Sequence, residues 1–393
     1  VAVARIVISI YDSPGNPHYA GGGTVMVREV SARLARRYRV TVVSGSYPGC
    51  RSRRDADPPP PGVRWVFLPV GRFGPRIGQL LYHLALPMVA ALGRYDVWVE
   101  SFTPPWSTSL LPLVTRRPVI GLAQMLAGVD ATRRYRLPFD RIERRGLRRY
   151  RRVVVLNSAD ARKVAAASPR TEVIRQVNGV RLPADVTADG GGDAVLFLGR
   201  IDVEQKGLDL LVHAHASLHV NARAHTDRWT ASPPSLLIAG AGTPGQERAL
   251  DQLLDRWRRD APGLRVERLG RVGGEGKDSL LRRCAVLVMP SRFETFGLAA
   301  LEGMAYGKPV LVFDLPQLAW IPEGAAVRVP GFDVDALARA LRELVTDREL
   351  RARLGRCGRQ AALAHDWEQV AEGYETLLAQ VGAEPSGWCE HGH

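Results

Sequence analysis

Glu294 and Glu302 lie in "SRFETFGLAALEGMAYGKP" (Ser291–Pro309), with seven residues between them. The run "VLVMP" before them reads as a buried strand, which puts Glu294 in the loop at its carboxyl end. Gly297 allows a sharp turn, and a helix is predicted to start near Leu298. Glu302 then falls about one turn into it, at ~3.6 residues per turn. A helix N-terminus carries partial positive charge and unbonded amides, so it favours phosphate. Two carboxylates beside it suit the hydroxyls of a sugar or ribose. Either glutamate could instead be a surface or capping residue. Glu294 alone would fit that description, but Glu302 sits in an apolar helix ahead of a buried strand and fits it poorly.

Other chemistry-bearing patterns are weaker. "YDSPGNPHYAGGGTVMVREV" (Tyr11–Val30) leaves a first strand, passes Gly21, Gly22 and Gly23, and enters a helix at Thr24. It has neither a usable G-x-G-x-x-G register nor a G-K-[ST]. In "SFTPPWSTS" (Ser101–Ser109), Phe102 and Trp106 could stack on an acceptor or pack under a loop. His213, His215 and His219 in "HAHASLH" lack the H-E-x-x-H zinc pattern, and a partly exposed helix face is the expected home. The tail residues Cys389, His391 and His393 have no evident fourth partner for a metal.

The elements that must position these residues form two series. "RIVISI", "RVTVVSG", "VRWVFLPV", "DVWVES", "PVIGLAQ" and "RVVVLN" are short apolar strands among helical stretches such as "TVMVREVSARLARR". Strands apolar on both faces, separated by helices, predict a parallel sheet covered on both sides. The Gly-, Asp- and Pro-rich run from Asn178 to Asp193 reads as a linker. The rhythm restarts with "AVLFLGR", "SLLIAGAG", "LRVERLG", "AVLVMP" and "PVLVFD". The predicted fold class is α/β: two Rossmann-like doubly wound domains facing across a cleft, over residues 1–182 and 183–365. A C-terminal helix over 366–382 packs back on the first domain, and 383–393 is a tail. Ligands of such sheets bind at the carboxyl ends of the strands.

The 393 residues have 46% hydrophobic content and 24% charged residues, an ordinary globular composition. Cys50, Cys284, Cys357 and Cys389 show no C-x-x-C spacing, which argues against a disulfide framework or a zinc site. No run is apolar enough to span a membrane, and "VAVARIVISIYD" reads as a strand rather than a leader, so a cytoplasmic location is expected. The net charge of +14 is dominated by Arg. Its densest stretch, Arg133–Arg152, is either a solvated helix face or a basic helix on an anionic membrane surface, the inner face for a peripheral protein. No nucleic-acid motif accompanies the charge, so no nucleic-acid partner is expected.

The Glu294–Glu302 segment resembles the E-x7-E signature of retaining family-4 glycosyltransferases of the GT-B fold. "FLGRIDVEQKGLDLLVHA" (Phe197–Ala214), "LLIAGAG" and "LGRV" (Leu269–Val272) are similar to that family's second domain in order and spacing. "VLNSADAR" and "VNGV" resemble the end of its first domain and the crossover. The resemblance implies transfer of a sugar from a UDP- or GDP-linked donor to a hydroxyl acceptor, with no obligatory cofactor or metal. It implies that Arg200 and Lys206 contact the donor diphosphate, Glu294 the donor sugar and Glu302 the ribose. The amides around Phe296, Gly297 and Leu298 would hold phosphate, and Arg271 and Val272 would lie near the base. Gly21–Gly23 match the glycine-rich loop that closes over the phosphates. Two departures stand out. Gln124 occupies the place where many members have a histidine, and "DLPQLAWIPEG" (Asp314–Gly324) replaces a G-G-x-x-E pattern. A sugar-nucleotide epimerase and a non-catalytic sugar-nucleotide-binding module are the alternatives on the same fold.

Overall fold

The computed structural model describes residues 3–12, 21–47, 58–102, 109, 111–224 and 233–383. Trp106, most of the loop after the first strand, and the tail cysteine and histidines lie outside them. The chain divides into two compact units, Val1–Gly179 with Trp367–His393, and Val180–Asp366.

The first unit holds β1 (Arg5–Ile10), β2 (Arg39–Gly45), β3 (Arg64–Leu68), β4 (Val97–Ser101), β5 (Val119–Ala123), β6 (Arg152–Val155) and β7 (Glu172–Arg175). They form one parallel sheet in the order β3-β2-β1-β4-β5-β6-β7. Its helices are α1 (Gly22–Leu34), α2 (Gly74–Leu92), the single turn α3 (Leu111–Val114), α4 (Gly128–Tyr135), α5 (Phe139–Leu147) and α6 (Ser158–Ala167). The second unit holds β8 (Ala194–Leu198), β9 (Ser235–Ala239), β10 (Val266–Gly270), β11 (Cys284–Met289), β12 (Val310–Phe313) and β13 (Val327–Val329). These are parallel in the order β10-β9-β8-β11-β12-β13. Around them lie α7 (Leu208–Ala224), α8 (Pro244–Asp260), α9 (Gly274–Arg283), α10 (Leu298–Ala305), α11 (Val334–Thr346) and α12 (Arg348–Ala362).

Both sheets are doubly wound, and their central strands are buried on both faces because helices cover both sides. The winding reverses between β1 and β4 in the first sheet and between β8 and β11 in the second. At such a switch point the two connecting loops leave in opposite directions and open a crevice at the strands' carboxyl ends. The last helix, α13 (Trp367–Gln380), belongs to the first unit. It buries Trp367, Val370, Tyr374 and Leu377 against Ile6, Met26 and Leu34 of the β1–α1 layer. Arg37 donates to Glu375 at 2.5 Å, and Arg36 to Glu368 at 2.8 Å.

Two local expectations are corrected. Arg133–Arg152 is not one helix: α4 ends at Tyr135, Pro138 precedes α5, and Arg152 already opens β6. A proline fixes φ and offers no backbone donor, so the periodic run breaks there. The three histidines of α7 do not share an exposed face either. His215 and His219 are buried with their rings 5.1 Å apart, and His215 Nε2 bonds the Pro234 carbonyl at 2.8 Å. Burial lowers the His215 pKa to about 4, which keeps it neutral. His213 lies over Trp257 with ring centroids 4.8 Å apart. These are packing histidines.

Candidate functional site

The β8–β11 switch point gathers Arg200, Lys206 and Glu294. Gly199 follows β8, and the chain then turns through Asp202–Lys206, where the Lys206 amide donates to the Asp202 carbonyl at 2.9 Å. Gly207 closes this turn at φ 65°, and a Cβ there would sit 1.9 Å from the Pro290 carbonyl oxygen. Only glycine lets the β8 loop lie this close to the end of β11. Arg292 locks the two loops together. Its guanidinium makes two 2.7 Å bonds to the Asp209 carboxylate and a third to the Glu204 carbonyl, while its amide donates to the Gln205 carbonyl at 2.9 Å. The paired, fork-shaped contact fixes geometry as well as charge.

Held this way, Lys206 Nζ donates to Glu294 Oε1 at 2.5 Å, and the Ser291 hydroxyl donates to the same oxygen at 2.8 Å. The side chains are 18% and 11% exposed, so the pair is largely withdrawn from water yet reachable. Oε2 of Glu294 takes no described bond. Arg200 is oriented by its own loop, donating to Asp202 Oδ2 at 3.1 Å and Gln205 Oε1 at 2.6 Å.

Glu302 stands one turn into α10, and Lys277 on α9 donates to its Oε1 at 2.7 Å. Lys277 escaped the sequence reading, although a signal was present: only four of the 54 basic residues are lysines. Gly297 caps α10 at φ 82°, a left-handed conformation that favours glycine, and a Cβ there would lie 2.9 Å from Leu318 and from Met289. No side chain caps α10 or α9, which begin on Gly297 and Gly273. Helices elsewhere start on capping side chains such as Asn157, Asp333 and Asp347, which occupy the first amides. Among the described backbone bonds, the Gly297, Leu298 and Ala299 amides donate to none. Arg271 and Val272 follow β10 on the same end of the sheet, and no described ion pair engages Arg271.

Phe296 contributes differently from its neighbours. Its ring is buried, stacked on Trp320 at 4.5 Å with 6° between planes, and its carbonyl accepts from Trp320 Nε1 at 2.8 Å. Trp320 and Leu318 belong to the segment that replaces G-G-x-x-E, so here that loop clamps the start of α10.

In the first unit, Gln124 lies at the carboxyl end of β5 over the start of α1. A Cβ on Gly23 would meet the Gln124 amide carbon at 3.5 Å. Gln124 Nε2 is buried and without a hydrogen-bond partner among the described residues. Gly21 is the N-cap of α1, and its amide donates to Asp12 Oδ2 at 3.3 Å. Phe102 is not available for stacking on an acceptor. It is buried edge-on to Tyr150 at 5.0 Å, in space that Gly121 leaves by having no side chain.

Comparison with known proteins gives the same architecture a family. Residues 20–182 match the family described as Glycosyltransferase Family 4, and residues 192–347 match Glycosyl transferases group 1. A D-inositol 3-phosphate glycosyltransferase of Geodermatophilus obscurus is 30% identical over 415 residues, covering 95% of this chain and 87% of its own. A phosphatidyl-myo-inositol mannosyltransferase of Mycobacterium leprae is 33% identical over 195 residues, 47% of each chain. Against this relative and the others that match most strongly, the chain spans about half their length or less. Among solved structures, a sucrose-phosphate synthase from Thermosynechococcus elongatus superposes with a TM-score of 0.76 at 22% identity, covering 97% of this chain and 99% of its own. Anabaena HepE, determined in complex with UDP and glucose, gives 0.72 at 16% identity, covering 95% and 99%. The chain belongs to the family-4 glycosyltransferases of the GT-B fold.

Proposed function

We propose that this chain transfers a sugar from a nucleoside-diphosphate sugar, UDP- or GDP-linked, to an acceptor hydroxyl with the anomeric configuration kept. The observation that carries this is the Lys206–Glu294 pair at the β8–β11 switch point, facing a glycine-capped helix whose first amides have no described backbone acceptor. A diphosphate suits the α10 amides, with Arg200 and Lys206 as its counter-charges. Glu302, held through one oxygen by Lys277, offers the other to the ribose hydroxyls. Glu294, held through Oε1, offers Oε2 to the sugar. The C1–O bond to the β-phosphate breaks as the acceptor oxygen bonds C1 on the same face. The acceptor proton passes to the leaving phosphate oxygen, and Arg200 and Lys206 stabilise the charge that remains. In the first unit, Gln124 Nε2, buried beside Gly23 and without a described partner, offers a donor to an acceptor oxygen.

The names of the relatives make inositol phosphate and phosphatidylinositol the first acceptors to test. The experiment incubates the chain with each donor and acceptor and reads nucleoside-diphosphate release, then the product's anomeric configuration by NMR. Lys206→Ala is expected to lower the rate by about 100-fold or more, as for loss of one transition-state charge contact. Chelation with EDTA is expected to leave it within about twofold, because fixed cations and amides do what a metal would do. An inverted product, or nucleotide sugars epimerised without transfer, would refute the proposal.

A further inference from the structure

α2 buries Tyr82, Leu86 and Ala90 in a core of the first unit, yet it leaves a second apolar face in solvent. Its polar residues Gln79, Tyr82 and His83 are buried, and Tyr82 donates to the Val43 carbonyl at 2.7 Å. Its solvent face instead carries Ile77, Leu80, Leu84, Met88 and Leu92, at spacings of three and four residues that keep them on one side of the helix. Exposure is 57% at Ile77, 54% at Leu84, 66% at Met88 and 86% at Leu92. α3 packs beside α2 and adds exposed Leu113 and Val114. A contiguous apolar stripe of this kind on a charged protein marks an interaction surface.

The charge around the stripe says what covers it. From Pro58 to Tyr95, and again from Ser101 to Val129, the sequence has no aspartate or glutamate. Exposed Arg72 and Arg94 flank α2, and exposed Arg116 follows α3, with no described ion pair on any of the three. An apolar face with cationic ends, whose nearest acid Asp96 is already paired with Arg5 and Arg117, is the pattern of a helix lying in the plane of an anionic membrane surface. A second copy of the chain would bring the same cations against each other. α2 is not long and apolar enough to cross a membrane, as is true of every helix among the described residues.

We infer that the α2–α3 face of the first unit docks on an anionic lipid bilayer, with the stripe entering the headgroup–acyl boundary and the arginines meeting acidic headgroups. This is a different surface from the Arg133–Arg152 stretch and stands independently of the transfer reaction.

The test is flotation of the full chain with phosphatidylcholine vesicles, with and without phosphatidylglycerol. Wild type is expected to bind the phosphatidylglycerol vesicles and to release at high salt. Leu84→Gln/Met88→Gln/Leu92→Gln is expected to lower partitioning by about tenfold or more, since binding scales with the apolar area that enters the bilayer. Its melting temperature should be unchanged, because the three positions are exposed. Arg94→Glu/Arg116→Glu should bind both vesicle types equally weakly. Wild type that floats with neither vesicle, a triple variant that floats like wild type, or a wild-type dimer that the triple variant dissociates would each overturn the inference. Nucleotide binding measured on the same samples keeps this outcome separate from that of the transfer reaction.

Discussion

Glu302 does not act alone, because Lys277 holds one of its oxygens. Lys277→Met should leave the fold intact and weaken nucleotide binding about tenfold, the equivalent of ~1.4 kcal/mol, by releasing that carboxylate from its set position; calorimetric titration measures it. A second residue-scale prediction concerns Glu100, buried on β4 with the Tyr150 hydroxyl donating to Oε2 at 2.8 Å. Burial raises its pKa from 4.5 to about 7. Between those values the folded chain keeps a proton that the unfolded chain releases, so Glu100 lowers stability as pH rises through that window, and its effect levels off above it. Glu100→Gln should remove this slope and stabilise the protein at mildly alkaline pH by about 3 kcal/mol, on the scale of ~1.4 kcal/mol per pKa unit. Denaturant melts at acidic and alkaline pH check it. Residue types and spacing singled out Glu294 and Glu302, and the family resemblance added Arg200 and Lys206. The contacts that Lys277 makes with Glu302 and Trp320 with Phe296 were not legible, because each joins residues from separate segments of the chain.

At the scale of elements, the site depends on how closely two loops approach. Gly207→Ala would force a Cβ onto the Pro290 carbonyl at a positive φ. The expected result is a loss of about 2 kcal/mol or more, with a matching fall in the melting temperature, and weaker diphosphate binding as Lys206 shifts. The central strands were readable because they are apolar on both faces, and so was the start of α10, because glycine precedes an apolar run. The edge strands β7 and β13 were not: they are short and partly exposed, so their sequences lack the continuous apolar signal. α2 also escaped notice. It is apolar both on the side that packs and on the side that faces solvent, and it contains Pro87, so amphipathic periodicity does not mark it.

At the scale of the whole molecule, the first unit is discontinuous in sequence. α13 completes its core with Trp367, Val370, Tyr374, Leu377 and Leu378, all nearly inaccessible. Burial of such side chains is worth roughly 2 kcal/mol each, and a domain's net stability is only ~5–15 kcal/mol. A chain ending at Gly179 should therefore not fold cooperatively, whereas 180–366 should give a sharp melt on its own; circular dichroism melts of the two fragments check this. The proposed transfer requires the second unit's β8–β11 switch point to take a nucleoside diphosphate. Thermal melts of wild type and Glu302→Ala against UDP, GDP and their sugar conjugates test it most directly. One nucleoside series should stabilise wild type, by about 2.7 kcal/mol at ~100 times its dissociation constant, and the shift should vanish in the variant. No shift with any nucleotide, or an equal shift in both proteins, would rule out a nucleotide site at Glu302.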